Sequence, residues 1–101
     1  MAQREIIEIA KQYLSFLKKE NFQISKAYLF GSYAKGTNKP ESDIDIAFIF
    51  NELKDEIDMQ IQLMKLRRKF DLRIEPHPFE QKDLIEGSPL LDEILQTGVL
   101  I

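Results

Sequence analysis

Two carboxylates and a glycine-serine pair stand out by type and spacing. Gly31-Ser32 follows the apolar run Ala27-Tyr28-Leu29-Phe30, and after ten further residues come Asp43 and Asp45, one residue apart, opening a second apolar run. Alternate residues of a strand share a face and lie about 6.5–7 Å apart along it. Asp43 and Asp45 therefore aim two like charges at one small volume, which favours a cation between them. Mg²⁺ fits such a pair, because it takes one or two carboxylates and completes its octahedron with water and phosphate oxygens. Gly31 permits close backbone approach. Ser32 reads as the N-cap of a short helix over about residues 33–35, whose free N–H groups suit phosphate, and Gly36 stops that helix. Together the four residues form a set for handling a nucleoside triphosphate.

Other uses of the same residues fail on chemistry. A calcium loop needs a third oxygen ligand where Ala47 stands, and strand-forming residues follow it. A phosphate loop of the Gly-Lys-Ser/Thr kind needs a lysine that Gly36-Thr37 lacks.

Gly-Ser, ten residues, then Asp-x-Asp resembles the minimal nucleotidyltransferases, the MNT branch of the DNA polymerase beta-like superfamily, over nearly the whole chain. The resemblance implies an α/β (α+β) domain of the polymerase beta palm type, with a small mixed sheet, helices mainly on one face and an open cleft on the other. It implies transfer of a nucleoside monophosphate, AMP from ATP, to an acceptor hydroxyl. Gly31 and Ser32 would bind the nucleotide, and Asp43, Asp45 and a third carboxylate would be catalytic and hold Mg²⁺. The superfamily's third acid lies in an apolar-Asp-apolar-Arg-apolar strand, which matches Phe70-Asp71-Leu72-Arg73-Ile74 and carries that role to Asp71. Glu75, two steps along the same face, is the runner-up. Lys35, Lys39 and Arg73 are charge neighbours of the site, and His77, between two prolines, reads as a local structural or substrate-rim residue.

The elements that position these residues follow from periodicity. Residues 4–20 form an amphipathic helix with Ile6, Ala10, Tyr13 and Leu17 on one face, and Ile7 and Leu14 beside them. Strands cover 24–30 and 44–50. In the second, Ile44, Ile46, Phe48 and Phe50 face the helices; Asp45, Ala47 and Ile49 face the other way, which suggests partial cover by a partner. A second long helix spans 52–69, with Leu53, Ile57, Ile61 and Met64 as its stripe and Met59, Leu63 and Leu66 flanking it. Phe70–Pro76 reads as a third strand. Ser88, Pro89 and Gly98 punctuate a last short helix, and a terminal strand can follow it.

Composition bounds the rest. At 101 residues the chain reads as one domain spanning 1–101, with enough length for a small core. A net charge of −3 argues against a broad grip on nucleic acid. The absence of cysteine excludes disulfides and thiolate metal sites. With no signal-like start and no long apolar run, the expected setting is the cytoplasm, away from the membrane.

Only about 25 residues follow the third strand, too few for an acceptor-binding domain. An acceptor arriving from outside is therefore expected. The resemblance implies a separate helical HEPN toxin as that partner, with this chain as the MNT antitoxin, and it leaves homo-oligomers open. The rival roles are an antitoxin that neutralises a HEPN ribonuclease by binding alone, and a small-molecule or antibiotic nucleotidyltransferase.

Overall fold

The computed structural model describes residues 3–101. Helix α1 (Gln3–Lys19) is followed by β1 (Ile24–Phe30), the four-residue helix α2 (Ser32–Lys35) and β2 (Ile44–Phe50). Helix α3 (Glu56–Leu66) runs into a 3-10 turn at Arg67–Lys69 and then β3 (Ile74–Glu80). Helices α4 (Asp83–Glu86) and α5 (Pro89–Thr97) precede the two-residue strand β4 (Val99–Leu100). The sheet order is β3-β2-β1-β4, with β2–β3 parallel and the other two pairings antiparallel.

Side-chain alternation sorts this mixed sheet into two faces. Ile44, Ile46, Phe48, Phe50 and Ile74 are buried against Ile6, Ala10, Tyr13 and Leu17 of α1 and Leu63 of α3. Ala47 and Ile49, on the opposite face, pack against Leu91 and Ile94 of α5, with Tyr28, Phe30, Phe79 and Leu84 around them. The cover expected from a partner is thus supplied by the chain's own α5. That helix starts as its sequence requires: Ser88 Oγ accepts from Leu91 N at 3.0 Å and Pro89 holds the first turn.

Helix α3 differs from the periodic reading in two ways. Asp55 caps it by accepting from Asp58 N at 3.0 Å, so residues 52–55 form a lead-in to the helix. The face expected as a flank, Met59, Leu63 and Leu66, packs on the core, while Ile57 is 73 % and Ile61 48 % exposed. The helix carries two apolar stripes on different sides, and periodicity alone does not choose between them. The buried hydroxyl of Tyr13 donates to the Leu63 carbonyl on the stripe that packs inward.

The third strand begins four residues later than its alternation suggests. Phe70 and Asp71 both donate from their backbone N–H to Arg67 O, at 2.9 and 3.0 Å, continuing the turn. The Phe70 ring is held between Tyr13 and Phe16 of α1, with centroids 5.5 and 5.4 Å away. The strand then runs through Pro76, which sequence reading takes as its end, and through Pro78 to Glu80. Ile44 N donates to Arg73 O at 2.8 Å and Gln81 N to Phe50 O at 2.7 Å, so the odd-numbered residues face β2 and the even-numbered ones face outward. Both prolines fall on the outer edge, where a missing N–H costs the sheet no bond. The edge carbonyls of Ile74 and Pro76 accept from Arg67 and Gln60 side chains, and Glu80 N donates to Asp83. An edge treated in this way is poorly suited to pairing with another strand.

Burial pushes the Tyr13 phenol above its ordinary pKa, so the group remains a proton donor at neutral pH. Leu63 O keeps its bond from Arg67 N when that donor is removed. Tyr13→Phe should therefore lower the unfolding free energy by only about 1 kcal/mol, read from the urea midpoint. An unchanged midpoint would mean that the hydroxyl adds nothing to the native state.

Candidate active site

The parallel register places the acids. Asp45 is paired with Glu75, and Ala47 with His77, so Asp45, Glu75 and His77 share one face at the open end of the sheet. Asp43 lies exposed just before β2. On the other side of Asp45 is Phe30, its partner in β1, and Gly31 follows at the strand end. Gly31 has φ +75°, and a methyl group there would collide with the Asp45 carboxylate. The turn and Asp45 therefore pack directly together, and glycine meets both the dihedral and the space requirement.

Ser32 is the first residue of α2, not its cap. Gly31 occupies the cap position, and no side-chain hydrogen bond closes this end. Ala34 N and Lys35 N both donate to Gly31 O at 3.1 Å. The N–H groups of a helix's first residues have no intrahelical partner, so Ser32 and Tyr33 present donors beside Asp45. Gly36 ends the helix in the left-handed conformation, as expected, with its N–H returning to Ser32 O.

His77 stands closer to the chemistry than a proline-flanked histidine suggests. Its Nε2 is 3.2 Å from Asp45 Oδ1, and its ring meets Phe30 edge-on at 5.0 Å between centroids. The signal was present in sequence parity: Glu75 and His77 alternate together, and continuing the strand through Pro76 aligns both with Asp45.

Asp71 lies in the turn before β3. Both its oxygens are engaged by Arg73: Oδ1 accepts from Nε at 3.0 Å and Oδ2 from Nη2 at 2.7 Å. That side-chain bond, against some opposing burial, holds the Asp71 carboxyl below the usual range. Glu75 is 3.9 Å from Arg67 Nη1, a looser pairing. Lys35 is drawn to Glu93 of α5 at 2.8 Å, while Lys39 is exposed in the loop.

Among the described residues, no three His, Asp or Glu side chains are grouped so as to hold a metal ion by themselves. Asp43 is exposed just before β2, and Asp45, one residue into the strand, keeps a partly exposed carboxylate. That donor set fits a hard cation sharing its ligands with water and phosphate.

A four-stranded mixed sheet with Asp45 packed against a Gly-Ser turn is the architecture of a nucleotidyltransferase. Residues 5–101 match the family model described as "Polymerase beta, Nucleotidyltransferase", and the chain belongs to that family. A Methanocaldococcus jannaschii protein, provisionally named a protein adenylyltransferase, is 31 % identical over 100 residues, covering 94 % of this chain and 97 % of its own. A crystal structure of a provisionally assigned nucleotidyltransferase from Sulfolobus solfataricus superposes with a TM-score of 0.70 at 20 % identity, over 97 % of this chain and 80 % of that one. A solved toxin–antitoxin structure with AMP-PNP is similar at a TM-score of 0.61 and 25 % identity, over 99 % of this chain and 72 % of that one. No helix among the described residues is long and apolar enough to cross a membrane.

Two outcomes follow from this geometry. Gly31→Ala should lose about 1–3 kcal/mol of stability from strain. Gly36→Ala, at a similar positive φ but with open space around it, should lose less. Equal losses in thermal unfolding would deny the Gly31–Asp45 contact. The lowered Asp71 pKa also fixes a sign: the stability it contributes is complete above the ordinary aspartate value and is lost as pH falls through the folded-state value. Asp71→Asn should therefore flatten the acid limb of stability against pH below about 4. An acid limb as steep as that of the unchanged chain would contradict the pairing.

Proposed function

We propose that this chain is a magnesium-dependent adenylyltransferase that moves AMP from ATP to a hydroxyl of a helical partner protein, as the MNT antitoxin of a HEPN toxin. The observation that carries this reading is the packing of Asp45 directly against Gly31, the glycine of the Gly-Ser turn. The adenylyltransferase name of the Methanocaldococcus relative and the AMP-PNP in the similar toxin–antitoxin structure support the choice of nucleotide and partner.

In this reading Asp43 and Asp45 hold Mg²⁺. Bound there, the ion neutralises phosphate charge and lowers the pKa of the attacking hydroxyl. The backbone N–H groups of Ser32 and Tyr33, with the Ser32 hydroxyl, bind the terminal phosphates. The acceptor oxygen forms a bond to the α-phosphorus, the bond to the bridging oxygen breaks, and pyrophosphate leaves. Glu75 is the better placed third carboxylate, because it stands on β3 opposite Asp45 while Arg73 engages both Asp71 oxygens. Glu75 takes the acceptor's proton as general base. His77 orients Asp45 through its 3.2 Å contact.

Calorimetry with AMP-PNP and Mg²⁺ tests the pocket. Binding should require the metal and be lost in Asp43→Asn and Asp45→Asn; equal binding by all three proteins would remove the metal assignment. Incubation with labelled ATP and a helical protein encoded beside this chain should add AMP to that partner. Glu75→Gln should slow this transfer by about 10²–10⁴-fold, whereas Asp71→Asn should slow it less. Neutralisation of the partner without any added nucleotide would favour the purely binding antitoxin.

A further inference from the structure

Arg73 touches every segment that sets the distance between the phosphate turn and the acids. Its carbonyl accepts from the N–H of Ile44, the residue between Asp43 and Asp45, at 2.8 Å. Its Nη1 donates to Tyr33 Oη at 3.1 Å and to the Pro40 carbonyl at 3.3 Å. Tyr33 directly follows Ser32 and is buried. Pro40 lies in the stretch 36–43 that joins the turn to the acid pair, and that stretch contains no helix or strand. Asp71 fixes the guanidinium from the opposite side, accepting from Nε, from Nη2 and also from the Arg73 backbone N–H at 2.9 Å.

We propose that Arg73, aimed by Asp71, is a positioning residue for nucleotidyl transfer: it ties Tyr33, Pro40 and the Ile44 backbone to one point and so holds the phosphate turn in line with the acid pair. This rests on the reading of the pocket given above. The planar fork is essential to it. A guanidinium grips a carboxylate with two parallel bonds and still has Nη1 to offer elsewhere, which an ammonium on a flexible stem does not reproduce. Pairing with Asp71 also balances the arginine's charge locally, so Asp43 and Asp45 keep theirs for the cation. The Gly31 turn is anchored to β1 and the acids to β2, and the loop between them has few bonds of its own. Ser42 Oγ accepts from Lys39 N at 2.7 Å and Ser42 N donates to Lys39 O at 3.0 Å, both within the loop. Arg73 supplies a tie across it.

A misplacement of about 1 Å between reacting groups costs on the order of 10²-fold in rate. Arg73→Ala and Arg73→Lys should both lower kcat for AMP transfer to the partner by about that factor, with little change in KM for ATP or in Mn²⁺ affinity. Asp71→Asn, the milder variant should Arg73→Ala not fold, should shift kcat in the same direction. Amide hydrogen exchange at residues 37–44 should accelerate in all three, while α1 keeps its protection. Three results would overturn the proposal. One is unchanged exchange at 37–44 in a folded Arg73→Ala protein. Another is a loss that falls on ATP affinity instead of turnover, which makes Arg73 a direct phosphate ligand. The third is loss of Mn²⁺ binding in Asp71→Asn to the extent seen in Asp43→Asn, which makes Asp71 a metal ligand. If the unchanged protein binds no nucleotide, the functional reading fails by itself, and the exchange measurement still decides whether the tie exists.

Discussion

A backbone turn pressed against a carboxylate organises this molecule. Gly31 has no side chain, so Asp45 can lie directly over it. Any β-carbon there would drive the two apart and separate phosphate donors from acids. The contact also explains the strand arrangement. Phe30 and Asp45 are paired across β1 and β2, so the turn leaves one strand where the acids enter the next. The antiparallel pair brings Gly31 and Asp45 to the same end of the sheet, although the Gly-Ser pair and the first aspartate are ten residues apart in sequence. The parallel β3 then adds Glu75 and His77 beside Asp45 without changing ends.

Such a cluster of negative charge opposes folding unless it is compensated, and the compensation is distributed. His77 contacts Asp45, Arg67 approaches Glu75, and Arg73 pairs fully with Asp71. Only the last is a close bidentate pair. Asp43 remains exposed and Asp45 partly so, which leaves both carboxylates in contact with screening water. A site closed over three acids would face a far larger desolvation cost. The open pair keeps the protein folded before any cation or phosphate arrives.

Much of this was legible in the chain. The Gly-Ser and Asp-x-Asp spacing marked the site, and simple alternation placed β1 and β2 at their observed bounds, because hydrophobic period and turn residues agree there. Agreement failed around residues 70–80. Phe70, Leu72 and Ile74 alternate as a strand should, yet the Phe70 ring belongs to the aromatic contacts with Tyr13 and Phe16. Leu72 is exposed, so its alternation reports no burial. The prolines misled in the other direction. In a central strand each would break the ladder, but on the outer edge of β3 neither N–H was needed. Edge position is a tertiary fact, absent from any local window. The shift of the strand by four residues moves Asp71 off the sheet and sets Glu75 against Asp45. In α3 the ambiguity was of a different kind: two apolar stripes compete, and which one packs inward is set by tertiary contacts with the core, outside any local window.

The second face of the sheet shows why the pocket is confined to one end. Ala47 and Ile49 follow Asp45 on that face, and left bare they would expose a continuous apolar surface. Leu91 and Ile94 cover them, so α5 is part of the core as well as a wall of the cleft. Glu93 lies on the same helix and reaches the site side, where it draws Lys35 away from the turn at 2.8 Å. Both partners are about half exposed, and such a pair contributes little to stability. Its consequence is local: Lys35 is already engaged by Glu93, and no side-chain hydrogen bond closes the start of α2. The core that stabilises the sheet and the meeting of Asp45 with the Gly31 turn are therefore set by neighbouring contacts at one strand end.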